Sequence, residues 1–399
     1  MNPAPSVAYP HPEAGSGVSS DRVRLGLRIK KIPPELRIKR KQYLTAPTWY
    51  ARIVQRLRED SQFFRSTVQL AFLILCLWIG VEFYLFMQWG SSTGQASYVN
   101  RPPGAEGFLP ISALISLKYW YLTGIVNDIH PAGLFIFISI VAIGLLLKKA
   151  FCSWLCPIGT ISESLWLLGR KIVGRNLQIS RWFDYPLRSL KYILAFFFIY
   201  AVSQMDAGSL KSFIVSPYNR VADIKMYLFF ARIGSFALWC MIIIMVLSIF
   251  VKSFWCRYLC PYGAFLGSLS LLSPFKIRRN QSTCIDCELC TKACPANINV
   301  HQLNKVRSDE CSGCLECVAV CPVKETLVMR LPKGSNQMPT WVFGSLVVGV
   351  FVAITGLAML TGKWQNSISK EEYLKRMQNI DSPIYEHFGG NAPEDSPND

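Results

Sequence analysis

Two cysteine runs dominate the chemistry of this sequence, CIDCELCTKACP at 284–295 and CSGCLECVAVCP at 311–322, both spaced C-x2-C-x2-C-x3-C-P. A compact loop of that spacing turns three thiolates toward one iron–sulfur face. The fourth cysteine reaches the neighbouring cluster, and the proline after it turns the chain away. The rule predicts two [4Fe-4S] clusters, one on Cys284, Cys287, Cys290 and Cys321, the other on Cys311, Cys314, Cys317 and Cys294. A zinc ribbon or a disulfide framework is the plainer use of many cysteines, but neither calls for two complete runs seventeen residues apart.

A second pattern also occurs twice, as FCSWLCPIG at 151–159 and WCRYLCPYG at 255–263. Placing Cys152 over Cys256 also places Cys156 over Cys260, Pro157 over Pro261 and Gly159 over Gly263. Each copy follows an apolar run and a basic residue and precedes an amphipathic stretch. The pair therefore reads as the same corner of a duplicated two-span unit. Cysteines four apart on a helix lie about 5–6 Å apart at Cβ, too far for an unstrained disulfide, which needs about 3.5–4.5 Å. The residue before proline avoids helical torsions, and proline favours the first helical position. Cys156 and Cys260 are thus expected just ahead of the following helices, where amide ends lower a thiol pKa. Cys76 and Cys240 stand alone in apolar runs and read as core residues.

These cysteines must be positioned, and the surrounding sequence points to a membrane. Of its 399 residues 51% are hydrophobic, yet the formal net charge is +17. Crossing about 30 Å of hydrocarbon takes about 20 apolar residues, and five stretches qualify: 66–89, 131–148, 188–204, 226–250 and 340–361. Arg188 and Lys191 shorten the third. Lysine and arginine number thirteen in 1–65, seven in 148–188 and eleven in 251–339, against two in 90–130, three in 205–225 and four after 362. This alternation predicts five spans with the N-terminus, both corners and the ferredoxin runs in the cytoplasm and the C-terminus outside. The reducing side disfavours disulfides. It also makes much of the +17 a matter of topology, so no nucleic-acid partner is expected. Lys118 and Asp128 argue against a sixth span at 111–128, which reads instead as an interfacial or re-entrant helix on the outer face. Residues 1–20 read as disordered, the basic run 22–41 as a topology signal or a contact with anionic lipid, and no secretory signal is visible.

The ferredoxin runs, the spans and the paired C-x-x-x-C-P corners over residues 63–330 together resemble the polytopic membrane ferredoxins of the NapH, NosR C-terminal and YccM type, and more distantly the FixG/CcoG type. That resemblance implies electron transfer in the bacterial inner membrane, often between a quinol pool and an outer-face reductase or a maturation pathway. Quinone then becomes a substrate and a redox protein a partner. Neither the outer flavin-binding domain of NosR nor the long outer domain of the FixG type is visible. For Cys152, Cys156, Cys256 and Cys260 three readings stay open: a further metal or cluster relaying electrons to the ferredoxin, thiol/disulfide or copper chemistry of the kind the CcoG resemblance suggests, and a packing corner.

Absences narrow the cofactors. The chain has four histidines, at 11, 130, 301 and 387, too few and too scattered for a bis-histidine haem, and it has no C-x-x-C-H or dinucleotide fingerprint. His130, beside Asp128 in NDIHPAG, reads either as a proton acceptor for quinol or as the end of a loop before a helix. Trp154, Trp166, Trp182 and Trp255 read as an inner aromatic belt. Arg257, Lys276, Arg278 and Arg279 serve orientation, cluster potential or an acidic partner.

The expected fold is a polytopic α-helical membrane protein with an inserted small α+β ferredoxin of two [4Fe-4S] clusters. Its parts are a basic segment 1–62, a membrane domain 63–281, the ferredoxin 282–330, a fifth span 340–362 and an outer tail 363–399. The expected function is iron–sulfur electron transfer between quinol and a partner. The alternative is a membrane-anchored maturation or regulatory protein using the same clusters.

Overall fold

The computed structural model describes residues 48–331, apart from 175 and 178, and 337–386. The expected disordered head, the basic run 22–41, His11 and His387 lie outside the described residues. The described chain is mostly helical and divides into two units.

Helix α1 (Trp49–Glu59) is followed by α2 (Ser61–Ser91), which is apolar around most of its circumference and turns Leu70, Ile74, Leu77 and Trp78 outward. A helix of that composition needs an apolar surrounding. Beyond it lie α3 (Pro110–Thr123), α4 (Pro131–Leu146), the short α5 (Ala150–Trp154) and α6 (Pro157–Val173). Next come α7 (Arg181–Gln204), α8 (Ala207–Val215), α9 (Pro217–Arg220), α10 (Ala222–Ala231), α11 (Ser235–Phe250) and α12 (Pro261–Ser270). Helices α3, α4, α6, α9 and α12 each open on a proline, whose fixed φ suits a first turn and whose missing N–H costs nothing there. Gly124 and Gly174 end α3 and α6 in the left-handed conformation.

Among the described residues three helices are long and apolar enough to cross a membrane: α2, α7 from Trp182, and the later helix Thr340–Leu360. The stretch 226–250, expected as one span, is instead the pair α10 and α11, bent by 81° at Arg232–Gly234. If that pair counts as one crossing there are four. Helix α4 falls short at 16 residues and lies largely buried against α3 and α12. Helix α3, within the stretch 111–128, has 14 residues and carries Lys118. Its ammonium donates to the carbonyls of Val202, Ser203 and Met205, capping the C-terminal end of α7.

After α12, strand β1 (Lys276–Arg279), helices α13 (Leu289–Ala293) and α14 (Glu316–Val320) and strand β2 (Leu327–Arg330) form the ferredoxin unit, followed by α15 (Thr340–Leu360) and α16 (Lys370–Gln378). That unit comprises residues up to Phe64, Phe275–Ser308 and Leu315–Trp341. The other comprises Arg65–Pro274, Asp309–Cys314 and the chain from Val342. Within the ferredoxin unit β1 and β2 pair antiparallel, Lys276 opposite Arg330 and Arg279 opposite Leu327.

The larger unit has a core at the end of α2, where Phe86 and Trp89 pack with Ile214 of α8, Val221, Ile224, and Tyr373 and Met377 of α16. Of the segment after Thr340–Leu360, Ile368, Tyr373, Met377, Ile380 and Tyr385 are packed into that core.

Candidate functional site

In the ferredoxin unit Cys284, Cys287, Cys290 and Cys321 line one cavity with Ile285, Val323 and Leu327. This is the crossed set that the spacing rule names. The loop reaches that shape through two left-handed residues per run, Asp286 and Glu288 in the first and Gly313 and Leu315 in the second, each pair two and four residues after its leading cysteine. Alternating hand turns successive amides and side chains to one side, a shape suited to an anionic cluster. Gly313 announces such a turn in sequence and Asp286 tolerates it, whereas Glu288 and Leu315 are residues that rarely adopt it. Burial pushes the Cys290 thiol up to about 11 and raises that of Cys287, and the neighbouring cysteines add to it at Cys290. His301 is engaged by Thr291, whose hydroxyl lies 2.9 Å from Nδ1 and accepts the His301 backbone N–H at 3.1 Å.

Of the second set, Cys294 and Cys317 belong to the ferredoxin unit and Cys311 and Cys314 to the larger one. Cys294 and Cys321 both end short helices in extended torsions before proline, as that residue pair requires.

The two corners come together within the larger unit. Cys156 and Cys260 stand at the N-caps of α6 and α12 with near-identical torsions, φ −66° ψ 119° and φ −74° ψ 105°. Cys260 Sγ accepts the Gly263 N–H at 3.3 Å. Cys152 lies in α5, whereas Cys256 lies in a π-helical turn, Trp255–Leu259, so the duplicated sequence is wound differently in its two copies. Cys152, Cys156, Cys256 and Cys260 feel one another's charge, three of them around the ammonium of Lys149. The expected lowering of the Cys156 pKa does not occur. Burial pushes that thiol well up, with the neighbouring sulfurs adding to it, and the Gly159 amide offsets only part. Cys152 is pushed up to about 11 and Cys256 to about 12, again chiefly by burial. Removal from water disfavours the thiolate more than one helix end favours it. Among the described residues no group of three or more His, Cys, Asp or Glu side chains is set for a single metal ion.

Around the corners the structure buries charges that sequence reasoning missed. Lys191, taken as shortening a span, reaches Glu310 Oε1 at 2.5 Å, and Arg188 reaches the same carboxylate at 3.0 Å. Burial opposes ionisation of Glu310, but Lys149, Lys191 and Arg188 outweigh it and hold its carboxyl below the ordinary range. Arg257 is buried and forks onto Asp184 with two contacts at 2.9 Å, beside the Tyr258 hydroxyl at 2.6 Å. The belt reading fails for Trp154 and Trp166, which are buried, and suits Trp182, which is exposed. Trp154 donates from Nε1 to the Gly313 carbonyl at 3.2 Å, and the Ser153 hydroxyl donates to the Ser312 carbonyl at 2.8 Å. The corner thereby holds the loop that carries Cys311 and Cys314.

His130 is buried away from the Asp128 side chain expected to partner it. Its Nε2 lies 2.6 Å from the Asn219 carbonyl and must donate to it, leaving Nδ1 toward Arg101 at 3.4 Å and Glu106 at 3.6 Å. Arg101 also pairs with Asp223, so a buried polar knot joins α4, α10 and the turn Pro103–Phe108.

A family described as a 4Fe-4S binding domain matches residues 129–176 and 233–280, one match for each corner. A family described as a 4Fe-4S dicluster domain matches 277–329. YccM of Escherichia coli, named provisionally as an electron transport protein, is 44% identical over 314 residues, 77% of this chain and 88% of YccM. NirI of Paracoccus denitrificans is 30% identical over 55% of this chain and 33% of its own length. The ferredoxin-type protein NapH of Haemophilus influenzae is 26% identical over 44% of this chain and 61% of its own. No solved structure matches the chain.

Proposed function

The chain belongs to the 4Fe-4S membrane ferredoxin family of YccM, NirI, NosR and NapH, and from that premise we propose that it carries electrons between a membrane quinol pool and a protein redox partner. On this reading it sits in the bacterial inner membrane with five spans, the corners and ferredoxin unit in the cytoplasm and the C-terminal segment in the periplasm. Cys284, Cys287, Cys290 and Cys321 hold one [4Fe-4S] cluster, and Cys311, Cys314, Cys317 and Cys294 a second. Cys152, Cys156, Cys256 and Cys260 hold a third centre, a cluster rather than a single ion. Each cluster supplies one-electron chemistry; the surrounding protein fixes its position, keeps water away and sets the charge around it.

The observation that carries the reading is the anchoring of the Cys311–Cys314 loop on Ser153 and Trp154, between Cys152 and Cys156. Electron relay needs centres held at fixed separation, and a loop pinned to the corner by two hydrogen bonds supplies that. Lys149 offsets the negative charge of thiolates in a buried place. The test is reduction of the clusters by a quinol in membrane vesicles, followed by bleaching of the visible absorption and by the electron paramagnetic resonance of the reduced state. Reduction by dithionite but not by quinol would sink the quinol reading and favour a maturation or regulatory role.

A further inference from the structure

One face of the ferredoxin unit concentrates positive charge beyond what topology needs. Strands β1 and β2 set Lys276 directly opposite Arg330, with Arg278 two residues along on the same face. Like charges facing each other across a sheet destabilise it. Lys305 bridges to Arg278 and brings another cation to the same edge. The result is a cavity of about 430 Å³ lined by Arg278, Arg279, Lys305 and Arg330, with Glu325 as the one acid on its wall. Arg279 also contacts Asp286 at 3.3 Å, yet its Nε, like the Nε of Arg330, is buried without an acceptor among the described residues. A buried guanidinium N–H without an acceptor costs free energy, and the natural remedy is an oxyanion that takes the forked donors in pairs.

Position tells which oxyanion. Arg279 and Thr326 line this cavity and also the cavity of Cys284, Cys287, Cys290 and Cys321. An occupant of the basic cavity therefore lies one layer of side chains from those four cysteines. A small phosphorylated molecule gains nothing from that adjacency, whereas an electron carrier does.

We propose that this cavity is the docking socket for an acidic one-electron carrier protein, whose surface carboxylates enter among Arg278, Arg279, Lys305 and Arg330 and bring its redox group beside the cluster. The proposal rests on the reading that the four cysteines hold a cluster. One electron passes between carrier and cluster; the donor is oxidised by one electron, the acceptor reduced by one, and no bond forms or breaks. The cations act on encounter, since a basic cleft raises the association rate of an acidic partner and loses that advantage in salt.

The test uses the full chain in detergent with reduced bacterial flavodoxin, an acidic carrier, as probe, and compares the parent with the double variant K305Q/R330Q by stopped flow. The expected result is a rate about tenfold lower at low ionic strength, converging with the parent at roughly 0.5 M salt, while iron content and the dithionite-reduced spectrum stay unchanged. Equal rates at low salt overturn the proposal. So does a loss that binds tripolyphosphate or phosphatidylglycerol vesicles less well but leaves flavodoxin untouched. A parent chain without a dithionite-reducible cluster overturns instead the ligand reading, and the two failures are told apart by that spectrum.

Discussion

The Ser153 hydroxyl donates to the backbone carbonyl of Ser312 at 2.8 Å, across 159 positions of sequence. The contact ties the first corner to the turn between Cys311 and Cys314, and Trp154 ties the next residue, Gly313, in the same way. The first corner and the Cys311–Cys314 turn are therefore tied together by the neighbours of their cysteines.

Replacing Trp154 by Phe keeps the packing on Phe343 but leaves the Gly313 carbonyl without its donor. The expected cost is about 1–3 kcal/mol of stability. Quinol-driven reduction of the ferredoxin clusters slows while iron content holds, as single-turnover kinetics beside iron analysis would reveal.

Iron analysis decides the corners. Two clusters account for about eight iron and eight sulfide per chain, and a third centre on the corners raises the count well above that. Serine at both Cys156 and Cys260 then returns it to about eight, with the signals of the ferredoxin clusters retained. A parent chain already at eight would refute the third centre.

The two corner glycines answer differently to alanine. A Cβ at Gly159 would meet the Cys152 carbonyl oxygen at 2.1 Å, whereas at Gly263 the nearest atom, the Cys256 carbonyl oxygen, stands at 3.4 Å. G159A is expected to lower stability by about 1–3 kcal/mol through forced backbone shifts, and G263A to be nearly neutral. Thermal unfolding of the two variants in one detergent measures the difference.

Arg101 neutralises two carboxylates, Glu106 and Asp223, both inaccessible to solvent. R101M strands them and should cost about 3–5 kcal/mol, and adding D223N should restore part of the loss. Equal stability of the single and double variants would refute the pairing.

Burial opposes ionisation of Glu163, but Arg65 at 2.5 Å and the Gln69 amide outweigh it and hold its carboxyl below the ordinary value. The folded pKa lies below the unfolded one, so the stabilisation is present above the unfolded pKa and is lost as pH falls through the folded value. In R65M only the Gln69 amide still opposes burial, and acid unfolding should begin at a higher pH than in the parent. Unfolding curves stepped downward from pH 7 test this.

The iron–sulfur chemistry was legible because ligand spacing is a local property. Cys284, Cys287 and Cys290 announce their loop, and Cys321 is assigned by a rule about pairs of runs. The torsions of Cys156 and Cys260 were legible too, since proline restricts the residue before it. The charges around Glu310 were not, because Lys149 and the α7 pair Arg188 and Lys191 meet it from segments far apart in sequence and look there like ordinary interruptions of apolar runs. Nor was the bend between α10 and α11, where Arg232 and Gly234 break a stretch whose composition alone suits a single span. The sign of the Cys156 shift is not legible in sequence, because a helix end is visible there and the depth at which it is buried is not.

Phe86 and Trp89 stand near the start of the folded chain, while the residues that cover them, Tyr373, Met377 and Tyr385, stand at its end. During synthesis that surface must wait, exposed, until residues 373–385 have left the ribosome. A chain cut short after Leu360 would retain its long apolar helices and its cysteines, yet present an uncovered aromatic face to the chaperones and proteases that inspect new membrane proteins.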